Sequence, residues 1–250
     1  MEIELLLVCF GLFVMSILYS SVGHGGASGY LAILSLSLYG SMESSWLKQY
    51  AWCLNLVVAA IAFYHYYLEG YFNKKLTFPF IIGSIPFAIL GGFLRIDGVI
   101  YDSLLSVTLI WAAYKLYQTK KEWEVENSIP NLKVSISTGA GIGFFSGIIG
   151  VGGGIFLSPI ILLKKWANPK TVAATSALFI WVNSMAGLFG ASISGQLNLE
   201  SKILFPFVIS VLIGGFLGSK FGSRSNESFV KLMLIFVLII AALKRVLELI

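Results

Sequence analysis

Uncharged apolar runs recur from one end of this chain to the other, several of them about 20 residues long, the length a helix needs to cross a bilayer. Hydrophobic residues make up 57% and charged residues 12% of the 250, far more apolar surface than one soluble core of this size can bury. The chain therefore reads as an all-α polytopic membrane protein. The runs fall at 4–20, 27–40, 47–68, 76–94 and 99–118, then at 134–149, 154–163, 171–190, 203–220 and 229–247. A charged stretch from Lys120 to Asn131 separates the two series. The division is a first transmembrane repeat over 1–119, a cytoplasmic linker over 120–132 and a second repeat over 133–250. The opening segment carries Glu2 and Glu4 where a secretory signal carries Lys or Arg, and it lacks a small-residue cleavage site, so a retained helix is expected.

The second series repeats the first. Shifting by 127 residues places Gly23, Gly25 and Gly26 on Gly150, Gly152 and Gly153, Phe78-Pro79-Phe80 on Phe205-Pro206-Phe207, and Gly91 on Gly218. With one residue inserted in the intervening loop, Asn55 falls on Asn183. Internal duplication of this kind is common among secondary transporters. The second run of each half is short: residues 154–163 rise only about 15 Å as a helix, against a hydrocarbon core of about 30 Å. If the first two runs of each half form a glycine-broken re-entrant hairpin, three spanning helices follow it, each half crosses an odd number of times, and the repeats are inverted.

The basic residues decide between the inverted and the parallel arrangement. In the inverted one, one side holds Lys74, Lys75, Lys115, Lys120, Lys121, Lys133, Lys164, Lys165, Lys170, Lys220, Arg224 and Lys231. The other side holds Lys48, Arg95, Lys202, Lys244 and Arg245, a split of 12 against 5 among the 17. Counting each hairpin as a single crossing removes the bias, so the positive-inside rule favours inverted repeats with both termini outside the cytoplasm. Scattered through short loops, these cations form no nucleic-acid patch. Cys9 and Cys53 lie inside apolar runs and read as reduced thiols.

Ser20 to Gly29 and Ser146 to Gly154 interrupt their runs with glycines too dense for a comfortable helix. Unwound backbone at membrane depth must be buried in protein or face a watery cavity, because lipid cannot pair with its peptide groups. Each half-helix would start at the glycines, turning free N–H groups and a positive dipole end towards a small anion. The candidate substrate-binding residues are Gly23, His24, Gly25, Gly26, Ala27 and Ser28 in the first break, and Gly150, Val151, Gly152, Gly153 and Gly154 in the second. Asn55 and Asn183, at matching positions on the helix after each break, join them as amides able to donate to an anion or to clip helices together. Lys48 is a candidate counter-charge, with an interfacial snorkelling lysine as the alternative. His24 is the ionisable group of the first break and a candidate carrier of a coupling proton. Gly139, Gly143 and Gly147, at four-residue spacing, read instead as a close-packing stripe, and His65 belongs to the aromatic belt Phe63 to Tyr67.

Other function classes fit less well. Gly26-Ala27-Ser28-Gly29 matches the short Gly-x-Ser-Gly of rhomboid-type intramembrane serine proteases, but Ser28 aligns with Ile155, so the serine is not part of the duplicated feature. No His-Glu-x-x-His or Cys-x-x-Cys spacing is present, and neither catalytic metal nor cofactor is expected. No Gly-Lys-Ser/Thr follows the glycines, which argues against a phosphate loop and a built-in ATP drive. An anion channel would use the same half-helix ends as a carrier.

The paired motifs GHGGASGYLAIL and GVGGGIFLSPIILL, with the later TVAATSALFIWVNSMAG, resemble those of the sulfite exporter TauE/SafE family, also called the toluene sulfonate uptake permease family. The resemblance covers nearly the whole chain. It implies a permease of the cell (inner) membrane for sulfite, sulfonates or related small organosulfur anions. Where the first copy has His24 and Ala27 the second has Val151 and Gly154, so the two half-sites are chemically unequal.

Overall fold

Strong apolar runs punctuated by Asn, Pro and Gly fold here into helices whose ends follow those signals. The computed structural model of the chain describes residues 2–94 and 129–247. The run expected at 99–118 and most of the linker at 120–132 lie outside the described residues. In the first half the helices are α1 (Glu2–Ser20), α2 (Ala27–Ser35), α3 (Ser44–Leu68) and α4 (Lys74–Phe93). In the second they are α5 (Leu132–Ile149), α6 (Gly154–Leu163), α7 (Pro169–Ile193), α8 (Ser201–Arg224) and α9 (Glu227–Leu247). Among the described residues there is no strand, and six helices, α1, α3, α4, α5, α7 and α8, are long and apolar enough to cross a membrane. Asn73, Asn131 and Asn168 cap α4, α5 and α7 by accepting from the N–H groups of Leu76, Lys133 and Thr171.

Glycines set how the helices pack. Along α4 and α5, Gly139 faces Phe80, Gly143 faces Ser84 and Gly147 faces Ala88, each so closely that a Cβ would strike the opposing backbone carbonyl. The stripe at four-residue spacing is therefore a packing seam, and the constant register shows that the two helices run in the same direction. Gly214 and Gly218 of α8 meet Phe13 and Ile17 of α1 in the same manner, and Gly222 meets Ser21 just past its end. The two seams are counterparts, since adding 127 carries Gly91 against Phe144 to Gly218 against Ile17 with the halves exchanged.

Two further pairs of contacts obey the same exchange: α4 packs on α7 as α8 packs on α3, and α2 on α3 as α6 on α7. Thr77 meets Thr175, and Ser84 meets Asn183, so α4 and α7 run in the same direction. Tyr50 beside Phe207, Val58 beside Gly215 and Glu69 paired with Arg224 give α3 and α8 a common direction too. Helices α3 and α7 cross in opposite directions, Trp52 lying on Gly187 and Asn55 bonding Ser184. Within the first half, α2 folds back along α1, placing Gly29 by Met15 and Ile33 by Gly11.

Adding side chains to the seams should separate helices that now touch backbone to backbone. Gly139→Val and Gly218→Val are each expected to cost about 1–3 kcal/mol or to prevent assembly. Gly141, which has open space around it, is the control: Gly141→Ala should be neutral or stabilising by up to about 1 kcal/mol. Thermal unfolding of the purified protein monitored by size-exclusion fluorescence compares them.

Candidate functional site

Both half-helices begin at a glycine in the left-handed region, Gly26 with φ 102° before α2 and Gly153 with φ 82° before α6. Residues with a Cβ are disfavoured there, which is why the turn recurs at matched glycines. The two breaks converge on the crossing of α3 and α7. Gly25 and Gly152 both lie against Asn55 and Ile180, and Gly154 lies against Ile180 and His24.

Asn55, fully buried, ties this junction together. Its Oδ1 accepts from the N–H of Ala27, the first residue of α2, at 3.0 Å. Its Nδ2 donates to Ser184 Oγ at 3.2 Å and reaches the carbonyl of Val151, in the other break, at 3.5 Å. Both amide hydrogens are thus committed to protein, and the side chain acts as a clip between the halves. Asn183, its counterpart in sequence, faces elsewhere: its amide donates to Ser84 Oγ and to the carbonyl of Phe179, while Oδ1 has no partner.

His24 is 2% exposed. Its Nε2 hydrogen-bonds Ser158 Oγ of α6 at 2.9 Å, and Ser158 in turn bonds Ser176 Oγ of α7 at 2.6 Å. Nδ1 has no protein partner. Ser28 donates to the hydroxyl of Tyr19 at 2.8 Å, so it is not paired with His24 as a protease nucleophile requires. Tyr30 donates to the carbonyl of Gly25 at 2.6 Å, satisfying unwound backbone. Between the breaks lies a cavity of about 10 Å³ walled by Tyr19, His24, Gly25 to Ser28, Val151, Ile155 and Ile180, room for about one water molecule.

Lys48 is 6% exposed and lays its stem against Gly150, while the matched glycine of the first half, Gly23, meets Ala173. One break thus packs on an aliphatic lysine stem and the other on backbone. His65 bonds Ser219 and packs on Phe216 at the α3–α8 seam, where the aromatic belt was expected.

Tyr19, Tyr30, Ser158, Ser176, Ile180 and Ser184 belong to this junction and were not singled out by sequence. α7 is apolar nearly all round, so its inward face carries no periodic signature. Ser158 does stand in the Ser-Pro sequel of the second glycine motif, and Ser184 directly follows Asn183.

An apolar multi-helix bundle enclosing unwound, polar backbone is the architecture of a multi-pass membrane transport protein. The chain belongs to the sulfite exporter TauE/SafE family, whose profile it matches over residues 7–245. It is 33% identical over 249 residues to a probable membrane transporter protein of Sinorhizobium fredii, y4hK, covering 98% of this chain and 99% of that one. A probable membrane transporter protein of Methanocaldococcus jannaschii is 27% identical over 161 residues, 62% of this chain and 60% of its own. Another, YunE of Bacillus subtilis, is 31% identical over 94 residues, 38% of this chain and 32% of its own. No solved structure matches. Family and relatives identify a membrane transporter, not an enzyme.

Asn55→Ala removes one cap acceptor and two donors from a buried junction, so it should cost about 2–4 kcal/mol. Asn183→Ala should cost less, about 1–2 kcal/mol, because its Oδ1 is already without a partner. Thermal melts of the two ligand-free variants test this order, and equal losses would remove Asn55 from its role as the clip.

Proposed function

We propose that the protein is a secondary carrier of the cell membrane for a small anion, sulfite or a sulfonate, held where the two glycine breaks meet. The convergence of Gly25 and Gly152 on Asn55 and Ile180 carries this reading. It puts two half-helix N-termini, with their positive dipole ends, at the crossing of two spanning helices. The name of the family, sulfite exporter, supports the substrate class. The small size of the cavity favours a carrier over a channel: an oxyanion of four or more heavy atoms does not fit space for one water, so binding requires the halves to move.

The reading includes inverted repeats, each opening with a re-entrant hairpin. The opposed directions of α3 and α7 and the exchange of the α4–α7 and α3–α8 contacts support the inversion, and the return of α2 along α1 supports the first hairpin. The helix directions also gather Lys74, Lys75, Lys133, Lys170, Lys220 and Arg224 at one end of the bundle, with Lys48 and Lys202 at the other. The first end is therefore assigned to the cytoplasm. Reporters in the loops at 69–73 and 164–168 should read inside, while reporters at 195–200, ahead of α1 and after α9 should read outside. A cytoplasmic reading ahead of α1 would sink the inverted arrangement.

Uptake by proteoliposomes tests transport. Wild type should accumulate sulfite or methanesulfonate above empty vesicles. Gly25→Val and Gly152→Val should abolish it, since a Cβ there meets the Asn55 amide, at 2.7 Å from Cγ for Gly25 and 2.8 Å from Nδ2 for Gly152. If His24 also carries a coupling proton, His24→Gln should flatten the pH dependence of methanesulfonate flux between about pH 5 and 8. An unchanged profile would remove the histidine from coupling and leave the glycine site standing.

A further inference from the structure

The six long apolar helices sort by direction into two groups. Helices α1, α3 and α8 run one way and α4, α5 and α7 the other, as the register along their contacts fixes. Packing follows the same division. Helix α4 of the first half packs on α5 and α7 of the second, and α8 of the second half packs on α1 and α3 of the first. The short helices go with their neighbours, α2 on α1 and α3, and α6 on α7. Helix α9 touches α1 and α2 of one group and α7 of the other, so it belongs to neither.

Inside the groups, helices meet backbone to backbone. Gly139 and Gly143 seat α5 on α4, Gly92 and Gly190 bring α4 and α7 together, and Gly214 and Gly218 seat α8 on α1. Such seams leave no layer of side chains along which one helix could slide on the next. Between the groups the contact is the α3–α7 crossing together with the two breaks, where Gly23 rests on Ala173. The hydrogen bonds across it come from side chains, Asn55 to Ser184 at 3.2 Å and His24 to Ser158 at 2.9 Å.

Among the described residues, two short connections pass from group to group, 69–73 at one end of the bundle and 194–200 at the other. Each changes partners abruptly. Glu69 pairs with Arg224 of α8, whereas the hydroxyl of Tyr71 accepts from Lys170 of α7 at 2.9 Å. Gln196 donates to the carbonyl of Phe93, the last residue of α4, at 2.9 Å, whereas the N–H of Asn198 donates to Gln49 of α3 at 2.6 Å. The glycines that turn these connections, Gly70 with φ 80° and Gly195 with φ 69°, have open space where a side chain would stand. Chain held by one group thus gives way to chain held by the other at Gly70 and at Leu197, where bending breaks none of these pairings.

We propose that the carrier cycles as two bodies, α1–α2–α3–α8 and α4–α5–α6–α7, each completed by a long helix from the other half of the sequence. They part along the α3–α7 crossing and bend at Gly70 and Leu197. The halves that move are therefore not the two halves of the sequence. The inference rests on the anion-carrier reading above and specifies its moving parts.

The test uses cysteine pairs in the full chain with Cys9 and Cys53 replaced by Ala, reconstituted in proteoliposomes, with methanesulfonate and sulfite uptake compared before and after reduction. Val58→Cys with Gly215→Cys joins α3 to α8, where the Cβ atoms stand 3.5 Å apart, within reach of a disulfide. Thr77→Cys with Thr175→Cys joins α4 to α7, where the hydroxyls stand 2.9 Å apart. Both disulfides link the two halves of the sequence but lie inside one body. Closing either should leave uptake within about twofold of the reduced form. Trp52→Cys with Gly187→Cys spans the bodies, one turn from the Asn55–Ser184 bond towards the Lys48 end, where opening must separate α3 from α7. Bridging that pair with a short bifunctional methanethiosulfonate should lower uptake at least about tenfold, and reduction should restore it. If Gly215→Cys disturbs its seam, His65→Cys with Ser219→Cys, bridged by the same reagent, joins the same two helices. Loss of uptake on closing either within-body link, or undiminished uptake with the α3–α7 bridge closed, would overturn the two bodies while leaving anion transport intact. Wild type that takes up neither anion would overturn the anion-carrier reading itself, and this inference with it.

Discussion

Peptide groups that leave helical pairing inside a hydrocarbon layer must find partners in the protein, because lipid offers none. Here the hydroxyls of Tyr30 and Tyr66 take up carbonyls of Gly25 and Ser21, and one fully buried amide links the two breaks. Asn55 accepts from the start of α2 in the first half and donates to Val151 and Ser184 in the second, so a side chain on α3 completes backbone on both sides of the bundle. The glycines bring the breaks close enough for one residue to reach them: a Cβ at Gly25 or Gly152 would occupy the space of that amide. Close approach and hydrogen bonding are thus two aspects of one junction, and neither survives without the other.

Around the junction the bundle is assembled by the same device on a larger scale. The α4–α5 and α1–α8 seams place glycines against opposing carbonyls, which lets backbones approach where lipid supplies no hydrophobic drive for association. The long helices α3 and α7 cross at the centre and carry on their inner faces the polar groups of both halves. Buried Ser158, Ser176, Ser184 and Thr175, all 0% exposed, keep their hydroxyls in side-chain hydrogen bonds, as the interior of an apolar bundle requires.

Most of this architecture was legible in the sequence because its signals are local. Apolar run length located the helices, α6 coinciding with the run at 154–163, and the matched glycines marked both breaks. The four-residue spacing of Gly139, Gly143 and Gly147 announced their seam. What sequence could not give was the direction of side chains on helices buried all round. Asn55 and Asn183 align, yet one clips the breaks and the other bonds Ser84, because the register of α3 against α7 and of α7 against α4 is set by packing that no periodic pattern records. The participation of Ser158 and Ile180 is hidden for the same reason.

The departures from symmetry bear on how such a carrier would cycle. In inverted repeats of identical chemistry, exchanging the conformations of the two halves would generate an opposite-facing state of equal energy. This chain departs from that ideal at the proposed site: His24 answers to Val151, and Asn55 bonds the start of α2 while its counterpart Asn183 bonds Ser84 and the carbonyl of Phe179 instead of the start of α6. Each difference adds an interaction to one half alone, so the two facing states of the proposed carrier would differ in energy. A difference of about 1.4 kcal/mol already biases the two populations tenfold. The bias would set which face the empty carrier prefers and hence the apparent affinity on each side. The net direction of flux would still follow the anion gradient and whatever ion is coupled to it, because an energy difference between two conformations of the carrier cancels over a complete cycle.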